Sequence, residues 1–433
     1  MSQFSCRSLL LLVALALFAP SRAAAQPAPP GNSCLSCHST LSDGRLAKPA
    51  ALFSGVDVHR ERSFGCVDCH GGDAANPDKA RAHDAARGFK GAPKGQAQVA
   101  ACARCHSDAD LMRRYAPKQR VDQAAEYATS VHGKQLAAGH ANVATCASCH
   151  GPHGIRPVSD AKSPVFPTNV AATCAACHAD PKHMAGYTLP DGAPLPTSQL
   201  ADYQKSVHFA ALTKGNDLSA PTCNDCHGNH GATPPGVGAV ANVCGTCHAV
   251  FATKFQTSVH AQIFDKGCVE CHTNHAVLKP SDAMLAATGA GVCAACHSAT
   301  EAGDKGAAAA AAMRGQFEQL ETGIKQSHAL IARVQNSGIE ASDQELALRE
   351  AASTLTLART EMHAFDPSLV APVIAQGMKI LEGVDTAGQK GVAELRFRRR
   401  GLAISLGAIL LLVVALWLKV RQIDRRSPPQ ATS

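Results

Sequence analysis

The pattern Cys-x-x-Cys-His occurs nine times in this 433-residue chain and constrains its fold more than any other feature. The motifs run Cys34–His38, Cys66–His70, Cys102–His106, Cys146–His150, Cys174–His178, Cys223–His227, Cys244–His248, Cys268–His272 and Cys293–His297. The thiols are Cys34, Cys37, Cys66, Cys69, Cys102, Cys105, Cys146, Cys149, Cys174, Cys177, Cys223, Cys226, Cys244, Cys247, Cys268, Cys271, Cys293 and Cys296. Two thiols two residues apart reach the two vinyl groups of one porphyrin, and the imidazole that follows lies under its iron. Zinc competes, because Cys-x-x-Cys is half of a tetrahedral thiolate site, but zinc gives no reason for a histidine after every pair. The same regularity overrules disulfides.

Composition supports a cofactor-filled interior. Aromatic residues are 4% of the chain and Trp occurs once. The first 300 or so residues are too poor in Leu, Ile and Phe to bury enough apolar area unaided, whereas a porphyrin is a large flat apolar body for side chains to pack on. The expected fold is mostly α with extensive irregular loops: a haem-organised domain, then a helical bundle and one C-terminal transmembrane helix.

Each iron keeps one further axial position, and its occupant decides between electron transfer and catalysis. Val-His precedes a motif four times, at His59, His132, His208 and His260, in three cases after Ser. A second histidine falls three residues past the motif histidine at His153, His230 and His275. In the first such unit Asp73 takes that place and His83 is the nearest substitute. Four units of two motifs and two spare histidines supply eight irons. The leading motif, at Cys34 and Cys37, needs a ligand from His140, His183, His328, His363, or a Met such as Met112, Met184 or Met284. Two imidazoles per iron make a six-coordinate, low-potential haem with no open site for substrate.

With Ser-Val-His, then CxxCHGxHG, then CxxCH, residues 30 to 300 resemble the paired-CxxCH multihaem cytochromes of respiratory bacteria. That resemblance implies closely spaced bis-His haems and, for many members, electrons taken from the quinol pool. It maps onto the nine motifs and onto His132, His208, His260, His153, His230 and His275. Asp73 departs from the pattern and leaves the first unit's ligation open.

Flanking segments give the expected location. Residues 1–25 carry Arg7, an apolar run from Leu9 to Ala19 and Ala23-Ala24-Ala25, the form of a cleaved secretory leader. Residues 26–300 form the expected nonahaem domain. After Thr300 the apolar period becomes helical: Phe317, Leu320, Ile324, Ile331 and Val334 share one face, and Leu348, Leu355, Met362 and Phe365 another, behind a capping box at Ser342 to Glu345. A third helix opens at Asp366-Pro367, completing a membrane-proximal domain over 301–397. Residues 401–420 are apolar and end near Trp417, so they read as a bilayer span, with 421–433 as a cytoplasmic tail. Basic residues flank both sides, so the leader sets the orientation: haems in the periplasm, anchored in the inner membrane.

The formal charge of +7 does not indicate nucleic-acid binding, because no basic stripe is interleaved with aromatics. Losing Arg7 and Arg22, then adding two propionates and one oxidised iron per haem, brings the holoprotein to about −4. Membrane-anchored electron transfer through nine covalent haems is the expected function, as an electron carrier or electron-transfer subunit in anaerobic respiration. Expected partners are a quinol-oxidising membrane subunit, a periplasmic or outer-membrane cytochrome, and membrane lipid. The alternative is a reductase or oxidase of small nitrogen or sulfur compounds with one open haem, for which the leading motif is the candidate. A third reading is a docking subunit of a larger respiratory complex.

Overall fold

The computed structural model describes residues 32–189, 191–234 and 240–426; the leader and the last seven residues of the tail lie outside them. Two compact units divide the chain. One runs up to Cys174 and includes Asn229–Ala232; the other comprises Ala175–Gly228 and the chain from Thr233 onward. Among the described residues the structure is helical, with no strand beyond one isolated bridge between Thr188 and Pro194.

Helices in the motif region are short because Gly, Pro and Asx residues interrupt them every few residues. The contiguous apolar core lies elsewhere, in residues 285 to 384, and includes Leu285, Met313, Phe317, Leu320, Ile331, Leu355, Val370 and Leu381. Around the motifs burial is scattered over single side chains such as Val99, Leu136, Leu212 and Tyr203.

What holds the motif region is a repeated set of polar contacts. The Val-His dipeptides begin α1 (Val58–Glu61), α2 (Val131–Ala137), α3 (Val207–Thr213) and a 3-10 turn (Val259–Gln262). Their N-caps are Asp57, Ser130, Ser206 and Ser258, buried to 3% exposure or less. A buried cap satisfies N–H groups that a helix start leaves without partners. In three repeats the valine N–H donates to the carbonyl five residues past a later motif histidine: Val58 to Ile155 (2.9 Å), Val131 to Ala232 (3.0 Å) and Val207 to Val277 (2.8 Å). Each repeat is therefore strapped to the loop of the next. That loop turns sharply after the motif at Gly71, Gly151 and Gly228, whose positive φ of 71°, 81° and 80° a side chain would disfavour. At the fourth repeat Thr273 adopts φ 60° without that relief.

The C-terminal helices are α4 (Lys305–Gln335), α5 (Ser342–Glu361) and α6 (Pro367–Arg426). Most of the periodicity read from sequence is the buried face: Phe317 and Leu320 are fully enclosed, and Ile331, Val334, Leu348 and Leu355 are buried, but Ile324 is only partly buried and Met362 and Phe365 lie past the end of α5 at Glu361. The capping box at Ser342 to Glu345 does not form. Ala341 caps α5, and Ser342 instead donates its N–H (3.1 Å) and hydroxyl to Glu340. The third helix and the apolar segment are one uninterrupted 60-residue helix. Its first half packs through Val370, Ile374, Leu381 and Val384. Its apolar window, of mean hydropathy 2.6, is wholly exposed and long enough to cross a membrane. Trp417 sits near the end of that window under the Arg421 guanidinium, 4.6 Å from the ring centre.

Two ion pairs tie the bundle to the last two repeats. Arg359 grips Asp282 with two hydrogen bonds (2.9 and 2.6 Å), and Lys254 meets Glu361 at 2.8 Å. Both are partly exposed, so they fix geometry more than they add stability.

Candidate metal centres

Several motifs sit on single helical turns, Cys66–His70, Cys146–His150 and Cys223–His227, which brings both thiols and the imidazole to one side. The third motif residue steadies the turn: Asp68 accepts from Gly65 N (2.6 Å), Ser148 from Thr145 N (3.0 Å) and Asp225 from Thr222 N (2.7 Å). No described cysteine is in a disulfide, and each is half-buried or exposed.

Histidines from distant parts of the chain face one another in pairs. Within the first unit, His38 faces His83 with ring centres 6.2 Å apart, His59 faces His106 at 6.0 Å, His70 faces His153 at 5.9 Å, and His150 faces His230 at 6.2 Å. Within the second unit, His208 faces His248 at 6.3 Å, His227 faces His275 at 6.0 Å, His260 faces His297 at 6.2 Å, and His272 faces His363 at 6.3 Å. Rings in direct contact would lie closer. Two metal–nitrogen bonds of about 2 Å, with roughly 1 Å from each nitrogen to its ring centre, give about 6 Å, so the gap fits one iron between two imidazoles.

The pairing follows a rule. Each Val-His imidazole faces the second motif of its own repeat (59 with 106, 208 with 248, 260 with 297). Each histidine three residues past a motif faces the first motif of the preceding repeat (153 with 70, 230 with 150, 275 with 227). His83, standing in for Asp73, faces the leading motif in the same way, and His363 does so for the last repeat. Asp73 itself pairs with Arg87 at 2.9 Å. His132 and His178 hold the equivalent Val-His and second-motif positions of the second repeat, and both are half-buried. Ring planes fall into two groups: His70 with His153, His150 with His230, His227 with His275 and His272 with His363 are near parallel (14° to 16°), whereas the Val-His pairs and His38 with His83 are inclined by 38° to 85°.

Nδ1 contacts say which nitrogen is left for a metal. A carbonyl only accepts, so a ring bonded to one through Nδ1 carries its proton there and turns the Nε2 lone pair outward. His38 donates to Leu46 O (3.2 Å), His70 to Gly91 O (2.6 Å), His83 to Lys79 O (2.8 Å), His227 to Thr233 O (3.3 Å), and His363 to Arg359 O (3.1 Å) and Thr360 O (3.2 Å). Two rings meet carboxylates at hydrogen-bond distance: His59 with Asp57 and His297 with Asp304, both at 3.0 Å. His230 lies 3.6 Å from Glu126. The His260 Nδ1 is buried with no hydrogen-bond partner among the described residues.

Burial favours a neutral imidazole, the form that a metal requires. It is the first cause of the lowered pKa of His106, His150, His153, His178, His208, His260, His272, His275 and His363. Burial alone would raise Asp57, yet hydrogen bonds from the His59 ring and backbone and from Ile155 N hold it below the usual carboxylate range.

Thiols of consecutive motifs are neighbours. The thiol of Cys146 beside Cys102, and that of Cys268 beside Cys244, raises Cys102 and Cys244. Burial and then Cys34 push Cys66 up to about 11, and burial and then Cys293 push Cys271 up to about 11.

Other candidates lie elsewhere. His328 is exposed on α4, His140 lies in an exposed turn after α2, His183 is near His178, and Met112 and Met184 are buried in apolar packing. No group of three or more His, Cys, Asp or Glu side chains among the described residues could hold a metal ion by themselves.

Sequence reasoning left His363 as one of several options, because it stands alone beyond the repeats. It missed Asp57, although Asp-Val-His in place of Ser-Val-His was legible.

Residues 260–302 match the family described as the doubled CXXCH motif. No curated protein and no solved structure matches the chain. The motif marks a c-type cytochrome with covalently bound haem c.

Proposed function

We propose that this cytochrome carries nine haems with two imidazoles each and relays electrons along them in motif order within each unit. The observation that supports this best is the set of eight histidine pairs at 5.9 to 6.3 Å. Covalent haem supplies reversible one-electron iron chemistry. The chain contributes thiols that fix each porphyrin, imidazoles that close both axial positions, and carbonyls that hold the rings. Contact between thiols of consecutive motifs supports short edge-to-edge steps from one haem to the next.

The same observations weigh against the reductase or oxidase reading. Its candidate open site was the leading haem, and His83 faces His38 there at the same separation as the other pairs. No motif carries Lys in place of His.

The exposed apolar half of α6 serves as a membrane anchor, and the leader directs the haems to the periplasm. The span carries no ionisable residue from Gly401 to Leu418 and is a poor quinol site by itself. A quinol-oxidising membrane partner therefore supplies electrons, and periplasmic or outer-membrane cytochromes receive them.

Intact mass and the electron paramagnetic resonance spectrum of the oxidised holoprotein test this together. Nine haems, all low-spin, are expected, with two classes of low-spin signal from the near-parallel and inclined ligand planes. Fewer haems, or a high-spin iron in the native protein, would overturn it. Rapid oxidation of a menaquinol analogue by the purified chain alone would remove the need for a partner.

A further inference from the structure

Four residues hold the same place in four repeats: Asp57, Ser130, Ser206 and Ser258 each precede Val-His and cap the helix that carries it. All four are buried. Each serine hydroxyl accepts one N–H of its own helix, as Ser130 does from Gly133 N (2.9 Å) and Ser206 from Phe209 N (3.1 Å). Asp57 reaches further. Its Oδ1 accepts from His59 N and from the His59 ring Nδ1, both at 3.0 Å. Its Oδ2 accepts from Gly154 N (2.7 Å) and Ile155 N (3.1 Å), in the loop just after His153. His59 faces His106 and His153 faces His70, so one buried carboxylate touches the ligand surroundings of two consecutive haems.

We propose that Asp57 is a positioning residue that makes the haem on Cys102 and Cys105 harder to reduce than it would be with Ser at this position, while holding the His153 loop in place beside the haem on Cys66 and Cys69. The inference rests on reading the histidine pairs as axial ligands. A carboxylate on the Nδ1–H makes an imidazole more basic and a stronger donor through Nε2, which favours the oxidised iron. The effect is largest where the carboxylate is shielded from water, and the Asp57 side chain is 2% exposed. A Ser at this position caps the helix without supplying negative charge. Capping alone therefore explains neither why Asp stands here nor why it meets the ring.

The test exchanges the two residue types in the full-length haem-loaded protein. Intact mass comes first: fewer than nine haems in the wild type would defeat the underlying reading, not this one. With nine attached, D57S is expected to raise the midpoint of one haem. Its reduced-to-oxidised ratio at fixed poise should rise about tenfold, equal to about 59 mV for one electron. S206D should lower the haem on Cys244 and Cys247 by a comparable factor, because Ser206 caps the helix bearing His208, which faces His248. Unmoved midpoints in haem-replete D57S or S206D overturn the proposal. If D57S loses haem, D57N decides: it keeps an acceptor for the backbone but no charge, and an unmoved midpoint there overturns it as well.

Discussion

His363 is the most exposed point of the ligand scheme, because it comes from outside the repeats and sits in a 3-10 turn at the end of α5. Replacing it with Ala removes the ring that faces His272 at 6.3 Å and 16°. Its Nδ1 partners are the Arg359 and Thr360 carbonyls at a helix end, which water can reach once the ring is gone. The lost contact with Phe251, 5.0 Å between ring centres, is partly exposed. The cost to the bundle should therefore be about 2 kcal/mol, below the range for a fully buried aromatic ring. The spectroscopic effect is larger. One iron in nine becomes five-coordinate, so about 11% of the low-spin intensity should convert to high spin while haem content stays constant. Spin quantitation of the oxidised protein measures this, and added imidazole should restore the low-spin signal by filling the vacated space. His328→Ala, at an exposed site on α4, is the control and should change nothing. An unchanged low-spin count in H363A, or an equal change in H328A, would refute the assignment of His363 to the haem on Cys268 and Cys271.

Other consequences are as direct. Phe317 is fully enclosed in the bundle core, so Phe317→Ala should cost about 3–5 kcal/mol and lower the melting temperature of the helical domain, with haem content unchanged. Ending the chain at Arg400 removes the exposed apolar window and should release the haem-loaded protein from membrane vesicles into the soluble fraction. Asp304 caps α4, and hydrogen bonds from Ala307 N and Ser298 N hold its carboxyl at about 2 against an ordinary 3.8. A depressed carboxylate stabilises the fold above its ordinary pKa and loses that contribution as pH falls through its folded value. Acid titration of helical circular dichroism should therefore show loss of the first turn of α4 between pH 3.8 and about 2, absent in Asp304→Ala.

Sequence and structure agree where the signal is local. Nine motifs, the Val-His register and the helical periods of α4 and α5 are read from neighbouring residues, and Phe317, Leu320 and Ile331 are buried as their spacing predicts. The partner of each imidazole is not local. His230 lies 80 positions after His150, and contacts such as the strap from Val131 to Ala232 and the approach of Glu126 bring its loop back, which no spacing encodes. His83 was legible as a substitute for the missing histidine at Asp73, but that it faces His38 depends on a contact between distant segments, Ser33 N donating to Ala74 O at 2.9 Å. The capping box failed for a different reason: Glu340 competes for the Ser342 hydroxyl and N–H before the helix begins.

On the proposed ligation, the one-repeat offset between each imidazole and the motif it faces makes each unit of the motif region behave like overlapping roof tiles. No tile is watertight alone, because each covers its predecessor and waits for its successor, and the row needs an edge piece at either end. The segment with His83 supplies such an edge in the first unit and the turn with His363 supplies one in the second. If the proposed ligation holds, a whole tile inserted within a unit, or taken out, would leave every remaining overlap in register, so such an array could change its length by duplication without opening an iron along the way.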